Sequence, residues 1–355
     1  MTPNDREQKV TALIDKLCLT RKLKRSEWIT IIRERTPAAA EHLFELARAV
    51  RIHHYGHDIY IRGLIEFTNY CRNDCYYCGI RKSNANALRY RLSKEDILTC
   101  CEEGYRLGFR TFVLQGGEDG WFTDERLCDI VSSIRAQFPD CAITLSVGER
   151  SYDSYKRLYD AGADRYLLRH ETYDEKHYSR LHPPQLSASH RKQCLWNLKK
   201  IGYQVGTGFM VGSPYQTPEN LADDMLFLAK LNPQMVGIGP FIPHHETPFA
   251  RMPGGTAELT VYMLGLIRLL LPRVLLPATT ALGTIAEDGR EKGILAGANV
   301  IMPNLSPAQV REKYLLYDNK LCTGDEAAES LNHLRERMEK IGYHIVVSRG
   351  DSLNI

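Results

Sequence analysis

The alternation of apolar and polar positions changes rhythm once along this chain. Up to about residue 57 it follows the helical period. Apolar side chains recur on one face from Val10 to Leu17, Ser26 is placed to cap a helix reaching Arg35, and Thr36-Pro37 opens another that runs to about Arg51. From Ile59 onward, short β-rich runs alternate with amphipathic stretches. Strands are expected near 59–66, 111–116, 142–147, 164–168, 205–211, 235–240, 275–280 and 298–302, and helices at 93–107, 123–137, 152–161, 190–201, 218–231 and 258–271. This repeat predicts an α/β fold, a closed (βα)8 TIM barrel over 58–305. A helical N-terminal extension (1–57) precedes it. A short C-terminal extension (306–355), with a helix at 325–341 and the apolar run Ile345-Val346-Val347, is expected to pack on its base or side.

In such a barrel the loops after the strands gather at one rim, where active sites are built. Polar and glycine residues concentrate there. Thr68-Asn69-Tyr70-Cys71 follows the first expected strand, Gln115-Gly116-Gly117-Glu118-Asp119 the second and Ser146-Val147-Gly148-Glu149 the third. Arg169-His170-Glu171-Thr172 follows the fourth, Met210-Val211-Gly212-Ser213-Pro214 the fifth, Pro240-Phe241-Ile242-Pro243-His244 the sixth and Thr279-Thr280 the seventh.

Composition narrows the partners. Among 355 residues, 46 Lys and Arg stand against 43 Asp and Glu, a net charge of +3 that gives no broad cationic face for nucleic acid. The most apolar stretch, 259–282, is interrupted by Arg268, Pro272 and Arg273, and the first residues are polar, so neither a membrane span nor a leader is expected. A cytoplasmic protein with a small-molecule partner is the expectation. Of the ten cysteines, three fall within eight residues, a pattern of metal ligation and not of a disulfide framework. Cys18, Cys100, Cys101, Cys128 and Cys194 lie in expected helices, where a free thiol packs as a small hydrophobe.

The clustered three read Cys71-Arg-Asn-Asp-Cys75-Tyr-Tyr-Cys78, and no fourth cysteine is near. A 4Fe-4S cluster takes four ligands, so three thiolates would leave one iron open to an exogenous ligand. The alternative is zinc held by the three thiols and a histidine such as His170. The C-x3-C-x2-C loop with Tyr77 before its last cysteine, followed by Gly116-Gly117-Glu118 in the next loop, resembles the signature of the radical S-adenosylmethionine (SAM) superfamily. The resemblance implies one site-differentiated 4Fe-4S cluster on Cys71, Cys75 and Cys78, and SAM as cosubstrate, cleaved to a 5'-deoxyadenosyl radical. It further implies that Gly116, Gly117 and Glu118 meet the SAM ammonium, with Ser146 nearby, Glu171 the ribose or methionyl part and Arg191 the carboxylate. Tyr77 and Ile242 would wall the adenine.

Further blocks, Arg165-Tyr-Leu-Leu-Arg169-His-Glu-Thr172, Met235-Val-Gly-Ile-Gly-Pro-Phe-Ile-Pro-His244, Pro277-Ala-Thr-Thr-Ala-Leu-Gly-Thr284 and Asn299-Val-Ile-Met-Pro-Asn304, resemble the HydE family of FeFe-hydrogenase maturases. That family groups with biotin synthase and methylornithine synthase. The resemblance spans about residues 10–320. It implies action on a small cysteine-ligated iron–CO–cyanide precursor, a scaffold GTPase and a second radical SAM maturase as transient partners, and a low-potential electron donor. Arg165 and Arg169 are expected on one inward face by the period of two, and Thr279, Thr280, Met302 and Tyr314 in the cavity lining. Where many HydE chains carry a second cluster on C-x7-C-x2-C, this chain keeps Cys322 but has Ser330 and His333, and no second cluster is expected. A lysine-rearranging activity like that of methylornithine synthase, another biotin synthase-related reaction, and a non-catalytic iron-sulfur or zinc carrier stay open as alternatives.

Overall fold

The computed structural model describes residues 3–321 and 328–353. Three helices come first: α1 (Pro3–Thr20), α2 (Arg25–Arg33) and α3 (Pro37–Tyr55). The capping expectation at Ser26 is corrected: α2 starts one residue earlier, and Glu27 returns its carboxylate to the Lys24 N–H at 2.7 Å. Thr36 does cap α3, accepting from Ala39 N.

The strands are β1 (Asp58–Ile61), β2 (Gly63–Thr68), β3 (Thr111–Gly116), β4 (Ala142–Ser146), β5 (Arg165–Leu167), β6 (Gln204–Thr207), β7 (Met210–Val211), β8 (Met235–Val236), β9 (Gly239–Pro240), β10 (Val300–Ile301) and β11 (His344–Val346). Their pairings run β2-β3-β4-β5-β6-β8, all parallel, with β7 beside β9 on the same staves. Bridges Met235↔Leu275, Pro277↔Val300 and Leu64↔Asn304 carry the ring back to β2, so the cylinder closes. β2 is buried along its whole length and most of β3 and β4 likewise, the near-continuous apolar runs that a parallel sheet covered on both faces requires.

Four staves differ from the sequence expectation, the fifth and sixth each being broken in two, as β6 and β7 and as β8 and β9. The first is two strands: β1 pairs with β10 and β11, while β2 carries the chain to the rim. The seventh, at 275–280, pairs through isolated bridges, because Pro277 withholds a ladder donor and Thr280 already begins a helix.

Outside the cylinder lie α4 (Lys94–Arg106), α5 (Asp124–Gln137), α6 (Tyr152–Asp160), α7 (Glu175–Leu181), α8 (Ala188–Ile201), α9 (Pro218–Leu231), α10 (Ala257–Leu270), α11 (Thr280–Ile285) and α12 (Gly289–Leu295). Ser93, Thr123, Ser151, Asp174, Ser187, Thr217 and Thr256 each accept a backbone N–H at the start of the helix they precede. Every one of those caps also ends a loop of the upper rim, which pins the rim at its far side. α13 (Ala308–Arg311) and α14 (Leu331–Lys340) follow. Among the described residues no helix is long and apolar enough to cross a membrane.

The C-terminal segment closes the floor. β11 pairs with β1, and the fully buried Arg165 guanidinium donates to Asp351 Oδ1 (2.6 Å), Arg349 O (2.9 Å), Gly350 O (3.2 Å) and Thr111 Oγ1 (3.2 Å). Arg165 therefore does not line the rim cavity as expected. Alternation along a strand fixes the face of a side chain and not its depth, and four residues at roughly 3.3 Å each put Arg165 about 13 Å below Arg169. Asp351→Ala is expected to cost about 2 kcal/mol of unfolding free energy, since it strands a buried cation; the value is discounted because the carboxylate is about one-third exposed. Denaturant midpoints read the loss.

Candidate active site

The rim encloses a cavity of about 300 Å³. Its wall includes Cys71, Cys75 and Cys78, Tyr77, Gly116, Gly117, Glu118, Ser146, Arg169, Glu171, Arg191, Ile242, Thr279 and Tyr314. Fourteen positions singled out from sequence thus meet in one place. Arg165, Thr280 and Met302 do not line it: Thr280 turns into α11, and Met302 packs against the Tyr55, Met235, Leu275 and Val300 cluster.

The cysteine loop is shaped by groups other than its sulfurs. Arg89 donates to the carbonyls of Asn69 (2.5 Å), Ile80 (2.8 Å) and Arg81 (2.6 Å), and Asn69 donates to Leu88 O and Lys313 O while accepting from Tyr90 N. Arg81 bonds Asp74 at 2.7 Å and holds that carboxyl well below its usual range. The Gly79 N–H donates to Leu316 O and the Tyr76 N–H to Leu181 O. The segment carrying Tyr314 and Leu316 is itself tied down by Lys320, which pairs with the buried Glu66 at 2.7 Å.

Burial pushes all three thiols up, Cys78 to about 12, with mutual repulsion adding to Cys75 and Cys78. Three soft donors converging on one cavity wall, each protonated unless a strong positive centre is present, form a donor set for a metal and not a nucleophile. The glycine loop lies directly against them: a Cβ at Gly117 would sit 2.2 Å from Tyr70 O and 2.8 Å from Cys71 Cβ.

Around this corner stand the charged groups. Glu118 accepts from Glu149 N (3.0 Å) and pairs with Arg72 (3.0 Å). Arg191 donates from Nε to Arg169 O (2.5 Å) and from Nη1 to Glu149 Oε1 (2.8 Å). Glu171 Oε2 is 3.0 Å from Arg169 Nη2, close enough for an ion pair although its angles miss those of a hydrogen bond. Thr279 Oγ1 is buried without a hydrogen-bond partner among the described residues. Tyr77 OH lies 3.0 Å from His182 Nε2, whose other nitrogen donates to Tyr178 O at 2.9 Å.

Sequence reasoning missed His182, Leu186, Leu316 and Tyr317 in the wall and gave Glu149 no role. His182 follows a short helix, α7, that the periodicity does not show. His170, offered as a fourth zinc ligand, points away from the thiols and is buried between Thr207 (2.9 Å) and Asp224 (3.2 Å). The zinc reading loses its named fourth donor. Cys322 lies outside the described residues, whereas Ser330 immediately precedes α14 and His333 lies within it.

Comparison with known proteins agrees with this geometry. Residues 65–228 match the Radical SAM superfamily. The [FeFe] hydrogenase maturase subunit HydE of Thermotoga maritima is 44% identical over 302 residues, 85% of this chain and 86% of that protein. The 3-methylornithine synthase of Methanosarcina acetivorans is 28% identical over 304 residues, covering 85% and 84%. The crystal structure of methylornithine synthase (PylB) superposes with a TM-score of 0.84 at 26% identity, covering 94% of this chain and 97% of that one. The chain belongs to the radical SAM superfamily and, within it, to the HydE family, in the group that also holds methylornithine synthase and biotin synthase. It is a radical SAM enzyme, and membership implies a 4Fe-4S cluster and SAM. The donor set fits them: three convergent thiols for the iron, and beside them a half-buried cation and two carboxylates for a zwitterionic nucleoside.

Proposed function

We propose that this chain is an FeFe-hydrogenase maturase that uses SAM to transform a small cysteine-ligated iron–CO–cyanide precursor. The observation that carries the reading is the meeting of Cys71, Cys75 and Cys78 with Glu118, Glu171 and Arg191 in one cavity of a chain 44% identical to a HydE. Residues 58–305 form the catalytic barrel, with 1–57 and 306–355 as extensions packed on it.

Cys71, Cys75 and Cys78 would hold the cluster, leaving one iron for SAM. Bound together, cluster and SAM supply a one-electron cleavage that yields a 5'-deoxyadenosyl radical. Arg191, oriented by Glu149 and the Arg169 carbonyl, presents its cation to the SAM carboxylate. Carbonyls of the Gly116-Gly117 loop accept from the ammonium, with Glu118 and Ser146 close by, and Glu171 takes the ribose or methionyl part. Tyr77, fixed as a donor to His182, and Ile242 form the adenine wall. Arg169, Thr279 and Tyr314 are left for the substrate, and the enclosing barrel keeps water from a reactive intermediate. The scaffold GTPase, the second radical SAM maturase and a low-potential electron donor are its transient partners, in the cytoplasm.

The 0.84 TM-score to a methylornithine synthase keeps lysine rearrangement as the second reading. Only Arg169 of the two expected arginines reaches the rim, and Glu171 pairs with it, so charge alone does not choose the guest. Anaerobic incubation of cluster-loaded protein with SAM and either substrate decides. Consumption of the iron–cysteine complex coupled to 5'-deoxyadenosine is expected, whereas methylornithine formed from lysine, with the iron complex untouched, would replace the proposal.

A further inference from the structure

Glu171 sits in the left-handed backbone region, with φ at 65°, where a residue with a Cβ is rarely found unless its surroundings hold it. Its own backbone bonds are ordinary: its N–H donates to Gly208 O at 3.1 Å, and its carbonyl accepts from Met210 N at 3.3 Å. The residues around it are tied more firmly, and from behind. Asp224, in the middle of α9 and fully buried, accepts the Tyr173 N–H on Oδ1 at 2.6 Å and lies 3.2 Å from His170 Nε2.

The second nitrogen of His170 is 2.9 Å from Thr207 Oγ1 on β6, and its ring packs against Phe209 and Phe227. Thr172 Oγ1 is 3.0 Å from His177 Nδ1, and His177 Nε2 reaches Pro214 O at 3.0 Å. Residues 170, 172 and 173 are therefore each pulled into the wall by a different element. Glu171, between them, is left facing the cavity with Arg169. The second Asp224 oxygen has no hydrogen-bond partner, and burial pushes the carboxyl well up.

We propose that Asp224 is a positioning residue for SAM binding. Through the Tyr173 N–H and His170 it keeps the turn in its strained form and so aims Glu171 and Arg169 into the cavity. The inference rests on the reading of Glu171 as a SAM contact given above.

The test uses cluster-loaded full-length protein and follows kcat and the SAM KM for release of 5'-deoxyadenosine, together with iron content. Asp224→Ala is expected to raise the SAM KM about tenfold, because displacement of a contact by a fraction of an ångström is costly. Asp224→Asn, which keeps an acceptor oxygen for the Tyr173 N–H at the same place, is expected to stay within about twofold. In a Glu171→Ala background, Asp224→Ala should add no further rise, since the two act on one contact. Should Asp224→Ala not fold, Asp224→Ser, whose hydroxyl stops short of the Tyr173 N–H, is read in the same way. An unchanged KM, an Asn variant as impaired as the alanine one, or effects that multiply in the double variant would each overturn the proposal while leaving the site reading intact. Glu171→Ala with a wild-type KM would instead remove the site reading, and the proposal with it.

Discussion

Replacing Cys71, Cys75 and Cys78 together by alanine is expected to give a folded protein that keeps almost no iron and releases 5'-deoxyadenosine at least about a hundredfold more slowly. The two halves of that expectation have separate causes. The fold survives because the loop takes its shape from Arg89, Asn69 and the Arg81–Asp74 pair, none of which bonds a sulfur. Iron is lost because no other cysteine among the described residues lines the cavity. Circular dichroism, iron analysis and product assay check it in sequence. Retained iron with continued SAM cleavage would defeat the assignment, and stoichiometric zinc in place of iron in the parent protein would revive the carrier alternative.

Gly117→Ala is expected to do nearly as much with one methyl group. The added Cβ would meet the carbonyl oxygen of Tyr70 at 2.2 Å, a backbone atom that cannot swing aside, and the Cys71 side chain at 2.8 Å. Relief requires the glycine loop and the cysteine loop to separate. Such overpacking costs about 1–3 kcal/mol in stability. Its larger effect is on geometry, with a fall of at least about tenfold in SAM cleavage and weakened cluster retention, because positioning errors near 1 Å are worth roughly a hundredfold. Gly120→Ala is the control, since a Cβ there meets nothing within 4 Å. Comparable loss in both variants would mean that loop flexibility, and not the close approach, is what matters.

The rim was legible in the sequence because its chemistry is carried by short local motifs. Cys71, Cys75 and Cys78 lie within one loop, Gly116-Gly117-Glu118 within another, and each follows a strand whose apolar run is plain. Depth along a strand was not legible. Arg165 and Arg169 share a period and a motif, yet the salt bridge that claims Arg165 comes from Asp351, 186 positions away. The seventh stave reads as a strand by composition, but Pro277 within it leaves isolated bridges. His182 and Asp224 escaped notice for a related reason. Their roles come from partners on other elements, Tyr77 in one case and Tyr173 in the other, and no spacing in the chain encodes such a meeting.

The floor of the barrel has a bearing on traffic. With β11 laid along β1 and the Arg349-Gly350-Asp351 turn drawn onto Arg165, the bottom of the cylinder is stoppered by the chain's own tail. On the proposed reading, guest and nucleoside would then share the upper doorway, and whichever took the deeper berth would arrive first and depart last. The tail would thus impose a queue on two molecules that it never touches.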